Sequence, residues 1–242
     1  MTNVQLFIPC FVDQLYPGVG MNMVKVLRKA GCHVTYNPRQ TCCGQPAFNA
    51  GFQEDAKEVC EKFVMDFEGD GYVVAPSASC VGFVRNYFPK LLAESSQAAS
   101  VTHLKERIFE FSEFLVDVLK VEDFGAVFEG SVTYHDSCAA LRECNIKQAP
   151  RRLLSKVQGL TLTEMNDVET CCGFGGTFAV KFESISSAMA DQKVDNAAAT
   201  GAQYLVSTDT SCLMHIDGYA KKAGKPMECL HLADVLAMGW EE

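Results

Sequence analysis

The sequence predicts an α/β fold built twice: two homologous halves, residues 1–125 and 126–242, each a mainly parallel sheet flanked by helices. Two observations lead there. Short β-prone runs alternate with runs of helical apolar period, the pattern of parallel strands covered by helices. The order of those runs, together with a set of four cysteines, then occurs a second time.

In the first half, VQLFIPC (residues 4–10) is a β-prone run that delivers Cys10 at its end. GMNMVKVLRKAG (20–31) is apolar at Met23, Val24, Val26, Leu27 and Ala30, a helical face closed by Gly31. CHVTYN reads as a short strand, QTCCGQPAF as a loop bearing Cys42 and Cys43, and EDAKEVCEKFVMDF as a helix with charges outward. GYVVAPSASC (71–80) is again strand, turn, cysteine, and IFEFSEFL (108–115) has helical period. KVEDFGAVFEG carries turn residues and marks the boundary.

The second half repeats the order. SVTYHDSC (131–138) matches the first run, APRRLLSKVQ the first helix and LTLTEMN the second strand. ETCCGFGGTF then brings Cys171 and Cys172, and ISSAMADQKVDNAAATG the next helix. QYLVSTDTSC (203–212) and CLHLADVL (229–236, helical period) close it. The cysteine spacings are Cys10-x31-Cys42-Cys43-x36-Cys80 and Cys138-x32-Cys171-Cys172-x39-Cys212. Cys10, Cys80, Cys138 and Cys212 all fall where a strand gives way to a helix. Ligands gather at the carboxyl ends of parallel strands, so each half is expected to converge four thiols on one point.

A chain 48% hydrophobic and 21% charged has the composition of a globular protein. The net charge of −9 and the scatter of the basic residues argue against nucleic acid as a partner. No apolar run approaches the ~18 residues of a membrane span. The start, MTNVQLFIPCFVDQLYPG, lacks the basic and small-residue regions of a secretory signal, which places the twelve cysteines in the reducing cytoplasm. There, such spacing favours metal over disulfides.

Thiolates suit zinc, copper(I) or iron–sulfur clusters. Structural zinc sites usually show C-x2-4-C knuckles, and no C-x2-C occurs here. Vicinal pairs followed by glycine favour a cluster, because Gly44, Gly173, Gly175 and Gly176 allow close backbone approach and free N–H groups toward sulfide. GFGG fits neither the dinucleotide fingerprint nor the phosphate-loop spacing. His135, in YHDSC, is a donor to a cluster sulfide or a strand-end group; His215, in SCLMH, is a ligand or near neighbour. His103 and His231 read as structural or solvated. Cys32, Cys60, Cys144 and Cys229 have no repeat partner and read as buried small hydrophobes, Cys229 at a helix start.

The doubled C-x31-39-C-C-G-x35-40-C pattern resembles the cysteine-rich CCG domain of heterodisulfide reductase, of the iron–sulfur proteins of glycolate and glycerol-3-phosphate oxidation, and of lactate-utilisation proteins. Two such domains and little else, from Val4 to about Leu236, are similar to the lactate-utilisation protein A family. The resemblance implies a cytoplasmic iron–sulfur oxidoreductase subunit, working in electron transfer with two others, one a ferredoxin-type protein, to oxidise L-lactate to pyruvate. It implies metal ligation by Cys10, Cys42, Cys43, Cys80, Cys138, Cys171, Cys172 and Cys212. The full family motif ends C-x-x-C; here Phe83 and His215 stand at the place of the fifth cysteine. Four thiolates per half match a [4Fe–4S] cluster, one or two in the chain. Zinc in one half, or as a substitute, is the scaffold alternative; vicinal cysteines as a thiol–disulfide enzyme are a third. No flavin or nicotinamide fingerprint and no general base for a hydroxy acid is evident.

Overall fold

In the computed structural model, which describes residues 1–225 and 227–240, the first repeat contains β1 (Thr2–Leu6), α1 (Cys10–Leu15), α2 (Pro17–Lys29), β2 (Cys32–Tyr36), α3 (Gln45–Ala50) and α4 (Gln53–Asp66). It continues through β3 (Tyr72–Ala75), α5 (Ala78–Asn86), α6 (Phe88–Leu91), α7 (Ala98–Arg107), β4 (Ile108–Glu110) and α8 (Phe111–Glu113), which runs on as a π-helical segment, Phe114–Val118. The second repeat has β5 (Val127–Tyr134), α9 (Cys138–Glu143), α10 (Gln148–Leu154), β6 (Gln158–Leu162), α11 (Phe178–Lys181) and α12 (Glu183–Ala198). It ends with β7 (Tyr204–Ser207), α13 (Thr210–Lys222), β8 (Glu228–His231) and α14 (Leu232–Leu236).

Each repeat forms one four-stranded, all-parallel sheet, ordered β2-β1-β3-β4 and β6-β5-β7-β8. The registers correspond: Leu6 pairs with Val74 where Tyr134 pairs with Val206. Two expectations need correction. Ile108–Glu110 and Glu228–His231 are not helical; each is the fourth strand of its sheet, and only the residues after it turn into a helix. A short apolar run has no period that separates a buried strand from a helix. Cys229 therefore lies in β8 rather than at a helix start.

The amphipathic helices bury the faces their periods define: Met23, Val26 and Leu27 on α2, and Ala56, Cys60 and Phe63 on α4. Phe63 packs edge-on to Phe7, with ring centroids 4.7 Å apart, and to Phe88 at 5.5 Å. The repeats are not separate beads. Helix α14 packs on α2, where the Asn22 amide donates to Asp234 Oδ1 at 2.9 Å, and α5 packs on α9. Gly82 permits that second crossing, since a Cβ there would lie 2.4 Å from Glu143 Cβ. Asn86 Nδ2 donates to the Glu143 carbonyl and carboxylate, both at 2.9 Å. A continuous apolar core consequently joins the repeats, from Val4 to Leu236, beside a separate smaller cluster in the second repeat around Val194, Leu205 and Ile216. Among the described residues no helix is long and apolar enough to cross a membrane.

Candidate metal centre

The cysteines stand at the carboxyl edges of the two sheets. Cys10 and Cys138 are the first residues of α1 and α9; Cys80 and Cys212 lie in the first turns of α5 and α13. The pairs Cys42–Cys43 and Cys171–Cys172 occupy the loops after β2 and β6. All four cysteines of each motif are thus brought together. Cys10 Sγ is 4.0 Å from Cys42 Sγ and Cys43 Sγ 3.4 Å from Cys80 Sγ; Cys138 and Cys171 are likewise 4.0 Å apart. All twelve thiols are free.

The sequence places one convergence in each half. The structure adds that the two sets line a single cleft of about 310 Å³ between the repeats. Phe11 and Phe174, one from each repeat, are among the residues lining it and meet edge-to-face with centroids 5.6 Å apart. Arg142 is the one Lys or Arg side chain among the residues lining it.

Both vicinal pairs are shaped by the glycine that follows. Gly44 has φ +91° and Gly173 φ +93°, and each N–H donates to the Sγ two residues back, Cys42 or Cys171, at 3.4 Å. Such φ values are those glycine adopts without steric cost. Gly175 and Gly176 follow in the second loop and line the cleft. A lysine from the second helix after it holds each loop from behind: Lys62 of α4 donates to the Arg39 carbonyl at 2.7 Å, and Lys193 of α12 to the Asp167 and Val168 carbonyls at 2.8 and 3.1 Å. The motif did not reveal this device, because lysines on amphipathic helices usually face solvent; Lys193 is 1% exposed.

Within each set one sulfur collects the negative charge. S–H donation from Cys10 and Cys43, aided by the Gly44 N–H and opposed by burial, lowers the Cys42 thiol to about 3. Donation from Cys138 and Cys172, with the Gly173 N–H, takes Cys171 to about 2. The donors Cys10, Cys43, Cys138 and Cys172 are pushed up, first by those same hydrogen bonds and then by burial. Each set is therefore a thiolate held by thiols, ready to take a metal as the remaining protons leave.

Of the histidines named from sequence, His215 does not line the cleft. Its Nε2 lies 3.1 Å from Ser186 Oγ, which donates to the Gly173 carbonyl at 2.8 Å, so it supports the second loop from outside. His135 is fully buried, and its ligand atom lies within 4.8 Å of the Cys172 and Cys212 sulfurs. Burial, then the Lys193 charge, lowers its imidazole to about 3, against a pull from Cys171, so the ring is neutral. His103 is exposed beside the Gly69 carbonyl, whereas His231 caps α14 through Nδ1. Phe83 is buried and stacked on Tyr87. Cys60 and Cys144 donate to the carbonyls of Cys43 and Ala78, at 3.7 and 3.5 Å; neither they nor Cys32 and Cys229 are among the cleft residues.

A doubled parallel α/β unit that gathers four thiols at its strand ends is a cysteine-rich protein, and the profile of the family described as "Cysteine-rich domain" (CCG) matches residues 4–85 and again 132–217. The chain belongs to the lactate utilization protein A family within that class. It is 44% identical over 243 residues to lactate utilization protein A of Exiguobacterium sp., covering 99% of this chain and 98% of that protein. To the Bacillus cytotoxicus protein of the same name it is 42% identical over 234 residues, covering 97% and 98%. Among solved structures, a hypothetical protein from Helicobacter pylori superposes with a TM-score of 0.66 at 12% identity. That match covers all of this chain and 50% of the other, and it speaks to the fold alone.

Proposed function

We propose that the chain is an iron–sulfur electron-transfer subunit of a cytoplasmic complex that oxidises L-lactate to pyruvate, its two cysteine-rich domains (1–125 and 126–242) each holding one [4Fe–4S] cluster. The observation that carries this reading is the meeting of eight free thiols, in two sets of four, around one cleft. Four thiolates per set suit such a cluster, and the backbone N–H groups of Gly44 and Gly173 already aim at sulfur. Cys10, Cys42, Cys43 and Cys80 would hold the first cluster, and Cys138, Cys171, Cys172 and Cys212 the second. Bound clusters supply one-electron redox chemistry. The chain's own part is to position them on either side of a shared cleft and to exclude water with Phe11 and Phe174. The names of the relatives supply the lactate.

Oxidation of lactate releases two electrons and two protons. A chain without a nicotinamide or flavin fingerprint needs partners for that step, one of them a ferredoxin-type iron–sulfur protein that takes up the electrons. Anaerobically purified protein is expected to be brown, with iron and acid-labile sulfide in equal amounts. Protein purified without air that holds only zinc, or no metal, overturns the cluster assignment. The isolated chain is expected to show no lactate-dependent dye reduction, and robust turnover by it alone overturns the assignment to a complex.

A further inference from the structure

The two thiol sets are alike in spacing and unlike in what stands behind them. With the repeats aligned on Cys10 and Cys138, Phe7 and His135 fall at the same place, three residues before the cysteine at the end of the first strand. Phe7 is fully buried and packs edge-on to Phe63 and Phe67, with centroids 4.7 and 5.6 Å away. His135 is equally buried, yet neither of its ring nitrogens has a hydrogen-bond partner among the described residues. Leaving a buried polar group unpaired is costly, so a fold that keeps one is expected to give it a partner outside the polypeptide.

What the ring meets is sulfur. A His135 ring nitrogen, Cys172 Sγ and Cys212 Sγ all lie within 4.8 Å of one another, and all three residues are buried. An imidazole lone pair beside two thiolates is a common donor set for a first-row metal. The backbone fixes the ring in that position: the His135 N–H donates to the Val206 carbonyl at 2.8 Å, and Ser207 Oγ donates to the His135 carbonyl at 3.0 Å. The second repeat also lacks a cysteine three residues after Cys212. The histidine at that place, His215, is engaged with Ser186 instead.

We propose that His135 is a nitrogen ligand of the metal centre in the second repeat, making that centre a mixed cysteine–histidine site while the first, backed by Phe7, is bound by thiolates alone. The inference rests on the reading that the cysteines hold metal. It makes the two centres chemically distinct, because the second has a neutral nitrogen beside its thiolates and the first has thiolates alone.

The test uses the full chain, purified anaerobically and reduced, with natural-abundance or 15N-labelled histidine. Electron–nuclear double resonance is expected to show a nitrogen coupled strongly enough for a direct metal bond. That coupling should change with the isotope and vanish in His135→Phe, the residue the first repeat already uses. One couple in a redox titration should shift, or be lost, in the same variant and in His135→Gln. A wild-type protein with iron in both sets and no strongly coupled histidine nitrogen overturns the inference. So does a weak coupling alone, which assigns the ring a hydrogen bond to sulfur. The wild-type spectrum decides this even where a variant fails to fold. Should the protein hold zinc rather than iron, the cluster assignment fails while this inference is read at the zinc absorption edge: a nitrogen shell lost in His135→Phe supports it, and a purely sulfur shell overturns it. Protein with no metal at all overturns both.

Discussion

Ser77 and Asp209 occupy equivalent positions in the two repeats and face each other across an antiparallel bridge. They lie just before the helices that carry Cys80 and Cys212. Asp209 Oδ2 accepts the backbone N–H of Ser79 at 3.1 Å, while Oδ1 accepts the Ser211 N–H at 3.3 Å and its hydroxyl at 2.6 Å. One carboxylate, 1% exposed, thus starts both cysteine-bearing helices and fixes the distance between the two thiol sets.

Asp209→Ala is therefore expected to destabilise the protein by about 1–3 kcal/mol, the range for leaving buried donors unpaired. Asp209→Asn, which keeps one acceptor oxygen, should cost less. Denaturant unfolding of both variants under anaerobic reducing conditions checks the order; an alanine variant as stable as the wild type contradicts it.

The glycines after the vicinal pairs give a second expectation. At Gly173, φ +93°, a Cβ would lie 2.7 Å from the Ser186 carbonyl oxygen and 2.8 Å from Met189 Cβ. Gly176, at φ +63°, has nothing within 4 Å. Gly173→Ala combines backbone strain with a clash against a helix and should cost about 3 kcal/mol or more, whereas Gly176→Ala should cost about 1 kcal/mol from strain alone. Unfolding midpoints of the two variants distinguish them.

Much of this site is written in the chain. The β-prone run ending in Cys10 or Cys138, and the TCCG loops, predict where eight thiols lie because strand ends and tight glycine turns are local properties. The fourth strands were not legible: Ile108–Glu110 and Glu228–His231 are short, bury the polar Glu110 and His231, and run directly into the helices that follow. Nor was the common cleft, which depends on how α2 meets α14 and α5 meets α9. The placement of His135 among the thiols and of His215 against Ser186 follows from which way one strand end and one helix turn face, and sequence spacing does not fix that.

Glu110, which is not among the cleft residues, predicts a pH dependence of its own. It is fully buried, caps α8 through Oε2 to the N–H groups of Ser112 at 2.8 Å and Glu113 at 3.2 Å, and leaves Oε1 without a partner among the described residues. Burial pushes its carboxyl up to about 8, against the pull of those hydrogen bonds. The unfolded chain releases this proton near the ordinary glutamate value of about 4.3. Between the two values the native state holds a proton that the unfolded state has lost, so stability falls as pH rises from about 4.3 to about 8. Glu110→Gln cannot titrate. The stability difference between wild type and variant should change by about 2–5 kcal/mol in the wild type's disfavour across that window, and a difference independent of pH overturns the assignment.

The two vicinal pairs are expected to be unequal. Cys171 and Cys172 are backed by the buried Lys193, by His135 and by a loop with three glycines, whose N–H groups are free of Cβ crowding. Cys42 and Cys43 have Phe7 in the place of His135 and the partly exposed Lys62 in that of the buried Lys193, and Pro46 at the position of Gly175 removes an N–H. Groups that orient ligands or donate to sulfide raise metal affinity, with typical effects of about tenfold or more when removed. Replacing Cys171 and Cys172 by Ser should therefore strip most of the iron from the anaerobic protein, because the firmly held centre goes and the weaker one is left to purification losses. The matching change at Cys42 and Cys43 should leave the second centre in place, with about half of the wild-type iron. Iron and sulfide analysis of the two double variants, purified side by side, reads this directly. Equal loss from both, or greater loss from the Cys42–Cys43 variant, would show that the groups behind the second pair do not strengthen its hold on metal.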